Sequence, residues 1–210
     1  MKLYHSTASP NSRRVRMFVA EKGILIPLQP VNLAEKEQFS DGFKAINPRQ
    51  QVPVLVLDDG TTIAEVPAIW HFLEESHPER PLLGSDATGK ALVAMWERRA
   101  ELDGFAPTME GVRNSVPGLK GRALSGPHDY EQIAGLVERS KRRVANFYAD
   151  FDARLADVPF MAGADFSAAD ITGVVTIDFA TAALKMPIPE DSRALRRWYE
   201  TVAARPSAKA

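Results

Sequence analysis

Residues 47–57 read NPRQQVPVLVL, and residues 65–69 read EVPAI. The four apolar residues after Pro53 predict a buried strand. Because proline has a fixed φ and no backbone N–H, we expect the Val52-Pro53 peptide to leave backbone polar groups free for a ligand. Glu65 lies just before a predicted helix, whose N-terminal N–H groups and dipole favour a bound anion. A carboxylate beside an anion site suits an amino-acid-like ligand that has both an ammonium and a carboxylate group.

These two segments resemble the glutathione-binding half of the glutathione transferase family, and the resemblance extends over nearly the whole chain. In that family the Val-Pro backbone pairs with the cysteinyl part of glutathione, and the acidic residue meets the γ-glutamyl end. The resemblance therefore implies that glutathione is bound by Gln51, Val52, Pro53, Glu65 and Val66. The family usually has serine where this chain has Val66. Since a hydrogen bond to the γ-glutamyl carboxylate is then missing, we expect glutathione binding that is either weaker than usual or supported by a neighbouring residue.

The pattern of helix and strand signals changes near residue 77. Before that point, helical patterns at residues 11–22 and 67–75 alternate with short strand patterns, and residues 58–60 (Asp-Asp-Gly) indicate a hairpin. After it, helical spacing of apolar residues dominates, most clearly over residues 133–155. The predicted parts are a small α/β domain over residues 1–77, a linker over residues 78–87 and an all-helical domain over residues 88–210. The family resemblance implies that the first domain is thioredoxin-like and that the second contributes to the pocket for the acceptor substrate.

The start of another helix is predicted by residues 166–171, Phe-Ser-Ala-Ala-Asp-Ile. Ser167 is expected to cap the helix while Asp170 bonds back to the backbone of the cap residue. Residues 171–184 are apolar on most faces, which predicts the core helix of the second domain. The same box occurs at this place in glutathione transferases, and we interpret it as purely structural.

Polar side chains crowd the start of the first predicted helix, at Ser6, Thr7, Ser9, Asn11 and Ser12. Taken alone, such residues predict only an N-cap. The segment from Ser9 to Val15 also resembles the loop of serine-type and bacterial transferases in which the activating serine precedes an Arg-Val pair. The resemblance implies that Ser9 contacts the sulfur of glutathione, with Asn11 as a second donor. Ser6 and Ser12 remain alternatives, and Tyr4 ranks below Ser9 because it lies within the strand.

Activation of the glutathione thiol requires a hydrogen-bond donor that stabilises the thiolate. A free thiol of this type has a pKa of about 8.5, so little of it is thiolate at neutral pH. Lowering that pKa by about two units requires roughly 2.7 kcal/mol, which a charge-assisted hydrogen bond and a helix dipole can supply. We therefore predict a glutathione transferase that attacks a hydrophobic electrophile, or an enzyme that reduces peroxides or disulfides with glutathione. The alternatives are a non-catalytic binding or regulatory module and a glutathione-dependent isomerase, although the Ser-Ser-Cys motif of the best-known isomerase branch is absent.

Apolar residues early in the second domain are the candidates for the acceptor pocket, namely Trp96, Phe105, Met109 and Val112. At helical spacing, such residues are more often part of a core than of a pocket. Their generic apolar character does not identify the electrophile.

The cysteine content, net charge and histidine spacing of the chain exclude several kinds of chemistry and partner. The chain has no cysteine, which excludes disulfides and a cysteine nucleophile, so any reacting sulfur must come from glutathione. A net charge of −1 gives no attraction to nucleic acid or to an anionic membrane. The four histidines lack metal-ligand spacing, so we expect no metal. No apolar run approaches the about 20 residues that span a bilayer, and no signal peptide is apparent, so we expect a cytoplasmic protein and, by resemblance, a homodimer.

Overall fold

The computed structural model describes all 210 residues, which divide into two compact units. The first unit comprises Met1–Pro81, Ser125–Pro127 and Lys209–Ala210, and the second comprises Leu82–Leu124 and His128–Ala208. The elements of the first unit are β1 (Lys2–His5), α1 (Pro10–Lys22), β2 (Leu28–Pro30), α2 (Asp41–Ile46), β3 (Val54–Val56), β4 (Thr62–Ala64) and α3 (Val66–Ser76), with a short 3₁₀ turn at Glu37–Phe39.

The first unit is built on a four-stranded sheet in the order β2-β1-β3-β4. Strands β1 and β2 are parallel, whereas β3 is antiparallel to both β1 and β4. Strands β3 and β4 form the hairpin predicted from residues 58–60, with Gly60 at a φ of +88°. This order of strands and helices is the thioredoxin-like topology that the family resemblance implied.

Apolar residues are buried on both faces of this sheet. On one face, Tyr4 and Val54 lie opposite each other and pack in a cluster with Phe43 of α2. Strand alternation places their neighbours Leu3 and Leu55, both fully buried, on the other face. Helices α1 and α3 pack together through stacked rings of Phe18 and Trp70, whose centroids are 5.4 Å apart.

The helix starts in this unit differ slightly from prediction. Helix α1 begins at Pro10 rather than at residue 11, and Ser9 is its N-cap. Helix α3 begins at Val66, so Pro67 occupies the second helical position and Glu65 is the N-cap. Helix α2 was not predicted, because its sequence is short and polar. Its stabilising features are the Ser40 cap and one buried phenylalanine.

The second unit is all-helical. Its elements are α4 (Ala87–Arg99), a π-helical turn (Ala100–Phe105), α5 (Ala106–Ser115), a 3₁₀ turn (Pro117–Leu119), α6 (Ala134–Asp157), α7 (Ala168–Phe179), a second π-helical turn (Ala180–Leu184), α8 (Arg193–Ala203) and a 3₁₀ turn (Pro206–Lys209). Its all-helical character, together with the sheet of the first unit, confirms the predicted fold class.

Helix α7 is the buried centre of the second unit, as its sequence predicted. Every residue from Ala168 to Ile177 is buried. The predicted capping box is present, since the Ser167 side chain accepts from the backbone of Asp170 and the carboxylate of Asp170 accepts from the Ser167 N–H at 2.9 Å. The same carboxylate accepts from the Trp198 indole at 2.7 Å, which ties α7 to α8. None of the helices combines the length and the apolar character needed to cross a membrane.

Candidate functional site

Three of the predicted binding segments meet at one edge of the sheet. In the strand register, Tyr4 near the end of β1 lies opposite Val54 at the start of β3, and Val54 lies opposite Ala64 at the end of β4. The loop after β1, the Val52-Pro53 peptide before β3 and Glu65 after β4 therefore leave the sheet at the same edge. The alternating direction of β1, β3 and β4 produces this convergence.

Ser9 is held at the N-terminus of α1 by its own hydrogen bonds. Its hydroxyl oxygen accepts from the Ser12 N–H at 3.2 Å, and its N–H donates to the Ser6 carbonyl at 3.2 Å. Because the oxygen acts as an acceptor in the cap, the hydroxyl proton stays available for donation. Ser9 thus combines a hydroxyl donor with the positive end of a helix dipole.

Asn11 is oriented by a buried arginine. Its side-chain oxygen accepts from Arg14 at 3.1 Å, and a guanidinium only donates, so this contact leaves the Asn11 amide group as the free donor. Arg14 is 1% exposed, and its guanidinium lies 5.1 Å from the centre of the Trp70 ring. Sequence reasoning missed this role of Arg14, although its spacing of three residues from Asn11 on a helix was a usable signal.

The two alternative serines, Ser6 and Ser12, are both buried, and Ser6 is held through its backbone. Ser12 is fully buried, and its hydroxyl accepts from the Ser6 N–H at 3.2 Å. The Ser6 carbonyl accepts from Arg16 at 3.2 Å, and the same guanidinium nitrogen lies 3.2 Å from Nδ1 of His5. Burial, and then the charge of Arg16, lower the pKa of His5, which favours its neutral form.

The segment before β3 presents an unpaired backbone. The Val52-Pro53 peptide bond is cis. No hydrogen bond within the chain involves the N–H or the carbonyl of Val52. The preceding turn is organised by Asn47, which donates to the Gln51 carbonyl at 2.8 Å and accepts from the Arg49 N–H at 3.0 Å. The backbone of Val52 is therefore a donor and acceptor pair next to an ordered turn.

Glu65 has an unusual backbone for its residue type. Its φ of +70° lies in the region that favours glycine, and its side chain does not cap α3. The carboxylate is 65% exposed and lies 3.9 Å from the Arg49 guanidinium. Val66, which follows, is buried and offers no side-chain hydrogen-bonding group. An exposed carboxylate thus stands beside the N-terminal N–H groups of α3.

The four acceptor-pocket candidates all lie in the second unit. Phe105, Met109 and Val112 follow a spacing of four and three residues, which places them on one helical face. Phe105 and Val112 are buried, while Met109 is half-buried. Trp96 on α4 packs edge-on against the Phe151 ring at 5.9 Å. The guanidinium groups of Arg99 and Arg154 also lie over Trp96, at 4.6 and 4.4 Å from its ring centre.

The structure brings no three His, Asp or Glu side chains together in an arrangement that would hold a metal ion.

Comparison with known proteins assigns both parts of the chain. Residues 8–76 match the family model described as the N-terminal domain of glutathione S-transferase, and residues 134–201 match that of its C-terminal domain. Glutathione S-transferase 2 of Saccharomyces cerevisiae is 37% identical over 211 residues, an alignment that covers 100% of this chain and 88% of the relative. The maleylacetoacetate isomerase of Rattus norvegicus is 31% identical over 194 residues and covers 87% and 86% of the two chains.

A solved structure agrees with these matches. The crystal structure of Gtt2 from Saccharomyces cerevisiae superposes with a TM-score of 0.90 at 34% identity, and the alignment covers 100% of this chain and 99% of that one. The chain belongs to the glutathione transferase family, whose members use glutathione as a substrate.

Proposed function

We propose that this protein is a serine-type, bacterial-type glutathione transferase in which Ser9 activates the thiol of bound glutathione. The observation that supports this most is the strand register, because Tyr4, Val54 and Ala64 are aligned across three strands. This alignment gathers a hydroxyl donor, an unpaired backbone and an exposed carboxylate at one edge of the sheet. A tripeptide with a thiol in its middle and a zwitterionic end requires these three kinds of group.

Each part of glutathione has a matching group in this proposal. The N–H and carbonyl of Val52, next to Pro53, pair with the cysteinyl part, and Gln51 contacts the same part or the glycyl end. The Glu65 carboxylate pairs with the γ-glutamyl ammonium. The Val66 N–H remains for the γ-glutamyl carboxylate, without the hydroxyl that serine would add. A missing hydrogen bond to a charged group weakens binding by about 1.5–3 kcal/mol.

The proposed reaction starts when the glutathione thiol loses its proton to solvent. The Ser9 O–H donates a hydrogen bond to the thiolate, and the Asn11 amide donates a second one. The thiolate then forms a carbon–sulfur bond with a hydrophobic electrophile, and the electron pair of the broken bond departs with the leaving group. Reduction of a peroxide or disulfide by glutathione uses the same activated thiolate.

The remaining features of the proposal concern the second unit and the assembly. We propose domain limits of 1–77 and 88–210 with a linker at 78–87, and a cytoplasmic homodimer. The proposed acceptor pocket includes Trp96, Phe105, Met109 and Val112. The charge of −1 argues against nucleic acid or an anionic membrane as partner.

A glutathione-dependent isomerase is the second candidate. The observation that favours it is the 31% identity with the rat maleylacetoacetate isomerase along most of both chains. An isomerase would use the same glutathione site but would return glutathione unchanged, because the carbon–sulfur bond formed on addition to a double bond breaks again and glutathione departs as the thiolate. The two candidates therefore differ in whether glutathione is consumed.

Titration calorimetry with glutathione tests the proposal first. We expect binding that is weaker than in a family member with serine after the acidic residue. The absence of any heat at millimolar glutathione would contradict both enzyme functions and support a non-catalytic module. If glutathione binds, a panel of an aryl halide, an organic peroxide, a mixed glutathione disulfide and maleylacetoacetate separates the candidates. Loss of free glutathione with the first three supports the transferase or reductase, and turnover of the last without such loss supports the isomerase.

A further inference from the structure

A glycine distant in sequence lies against the proposed glutathione-binding turn. The tripeptide Ser125–Pro127 belongs to the first unit, although the residues on both sides of it belong to the second. A Cβ atom added to Gly126 would lie 3.3 Å from Nε2 of Gln51 and 3.9 Å from the Arg49 carbonyl oxygen. The backbone of Gly126 therefore lies close to the Gln51 carboxamide, and a side chain at position 126 would require that carboxamide to move by a few tenths of an ångström.

The approach of Gly126 can affect the Gln51 side chain because hydrogen bonds hold only the backbone of Gln51. Asn47 donates to the Gln51 carbonyl at 2.8 Å, and the intervening Gln50 has a positive φ of +57°. No hydrogen bond within the chain restrains the Gln51 carboxamide, so its position depends on packing. A long side chain that is confined before binding loses less conformational entropy when the ligand arrives.

We propose that Gly126 is a positioning residue for glutathione binding, acting through the Gln51 carboxamide. This inference rests on the proposed function only in that Gln51 contacts glutathione. Alanine at position 126 would press on the free end of a flexible side chain, which can rotate away. The expected consequence is a displaced carboxamide in a protein that still folds.

A second effect of alanine must be separated from this one. Gly126 has a φ of +118°, so any side chain there also strains the backbone. Gly121 provides the matched control, because it lies in the same connection, has a φ of +75° and has no atom near its added Cβ. Gly121→Ala therefore introduces backbone strain without a contact to Gln51.

The experiment is a double-mutant cycle of Gly126→Ala and Gln51→Ala, measured by calorimetry with glutathione. We expect each single change to raise the dissociation constant by about 2- to 150-fold, the range of coupling between contacting residues. The double variant should bind no more weakly than Gln51→Ala alone, and Gly121→Ala should bind like the unchanged protein. An unchanged constant in Gly126→Ala, or fully multiplicative effects in the double variant, would overturn the proposal.

A measurement without glutathione separates this inference from the proposed function. The side-chain amide resonance of Gln51 is assigned by its loss in Gln51→Ala. We expect this resonance to shift in Gly126→Ala and to stay in place in Gly121→Ala. If the unchanged protein does not bind glutathione but the resonance shifts, the proposed function fails while the positioning contact stands. An unshifted resonance in Gly126→Ala refutes the contact itself.

Discussion

Replacing Ser9 with alanine tests the proposed activation of the thiol. The change removes the hydroxyl that is expected to donate to the thiolate, and it also removes the N-cap that accepts from the Ser12 N–H at 3.2 Å. A hydrogen bond to a charged group contributes about 1.5–3 kcal/mol. At about 1.36 kcal/mol per unit, its loss raises the pKa of the bound thiol by about one to two units. For a bound thiol with a pKa of about 6.5, which is the two-unit reduction from about 8.5, we expect the thiolate fraction at neutral pH, and with it the rate, to fall by about 3- to 25-fold.

The loss of the cap needs its own control. Ser40 caps α2 with the same geometry, because its hydroxyl accepts from the Phe43 N–H at 3.2 Å. Ser40→Ala should therefore lower the free energy of unfolding by about 1 kcal/mol, as Ser9→Ala should through its cap. Only Ser9→Ala should change the pKa of the thiol. The assay is the ultraviolet absorbance of the thiolate of bound glutathione as a function of pH.

The outcome that refutes this reasoning is an unchanged thiol pKa in Ser9→Ala. Ser9 would then be a structural cap only, and the role of donor would pass to the Asn11 amide. Arg14 holds that amide in place through the 3.1 Å contact with the Asn11 oxygen. An increase in the thiol pKa in Asn11→Ala, without one in Ser9→Ala, would establish this alternative.

Three further changes test the energetics of the fold and the site. Glu65→Gly relieves the strain of a positive φ, so we expect a free energy of unfolding higher by about 1 kcal/mol in denaturant unfolding. The same change removes the carboxylate, so we expect calorimetry to show glutathione binding weaker by about 10- to 150-fold. Glu65→Gln keeps the strained backbone and should therefore weaken binding without changing stability. The buried ammonium of Lys22 donates to Glu74 at 2.6 Å and to the carbonyls of Glu79 and Arg80 at 3.1 Å. Because Lys22→Met leaves the Glu74 carboxylate buried without its cation, we expect it to lower the free energy of unfolding by about 3–5 kcal/mol in denaturant unfolding. A Lys22→Met/Glu74→Met double variant that is no more stable than Lys22→Met would contradict the ion-pair explanation. Burial raises the pKa of Asp170 from 3.8 to about 6 despite four hydrogen-bond donors. The folded state therefore binds more protons than the unfolded chain between these values, and the free energy of unfolding should fall by about 2 kcal/mol as pH rises from 4 to 6. Asp170→Asn should lack this decrease, and an identical pH profile in the two proteins would refute the assignment.

The elements predicted from sequence are those whose signals are local. The hairpin of β3 and β4 follows from an Asp-Asp-Gly turn between apolar runs, and the start of α7 follows from the box of Ser167 and Asp170. Helix α2 had no such signal, because six residues give no helical period and its one apolar anchor is Phe43. Its stability comes from tertiary packing, which a local pattern does not encode.

The residues of the candidate site were proposed from the sequence, whereas their arrangement was not. The resemblance to the family pointed to Ser9, Val52 and Glu65, while the register that aligns the ends of three strands became apparent only in the folded sheet. The close approach of the Gly126 backbone to the Gln51 side chain could not be predicted from the sequence, because the two residues are far apart in the chain. Nothing in the surrounding sequence of either residue specifies the other.

The strained backbone of Glu65 is relevant to the proposed anion site at the start of α3, where Val66 lacks the hydroxyl of a serine. A non-glycine residue at a φ of +70° costs about 1–3 kcal/mol, and a residue selected for structure alone would be glycine. The Glu65 side chain forms no capping hydrogen bond with α3 that would offset this cost. The side chain is 65% exposed, and its Oε1 lies 3.9 Å from Nε of Arg49. The strain is therefore consistent with a carboxylate kept for a ligand rather than for the fold. Since Val66 adds no hydroxyl, the proposed recognition of the γ-glutamyl end should depend more on Glu65 here than in relatives with serine. We therefore expect Glu65→Gln to reduce glutathione affinity more in this protein than the same change does in those relatives.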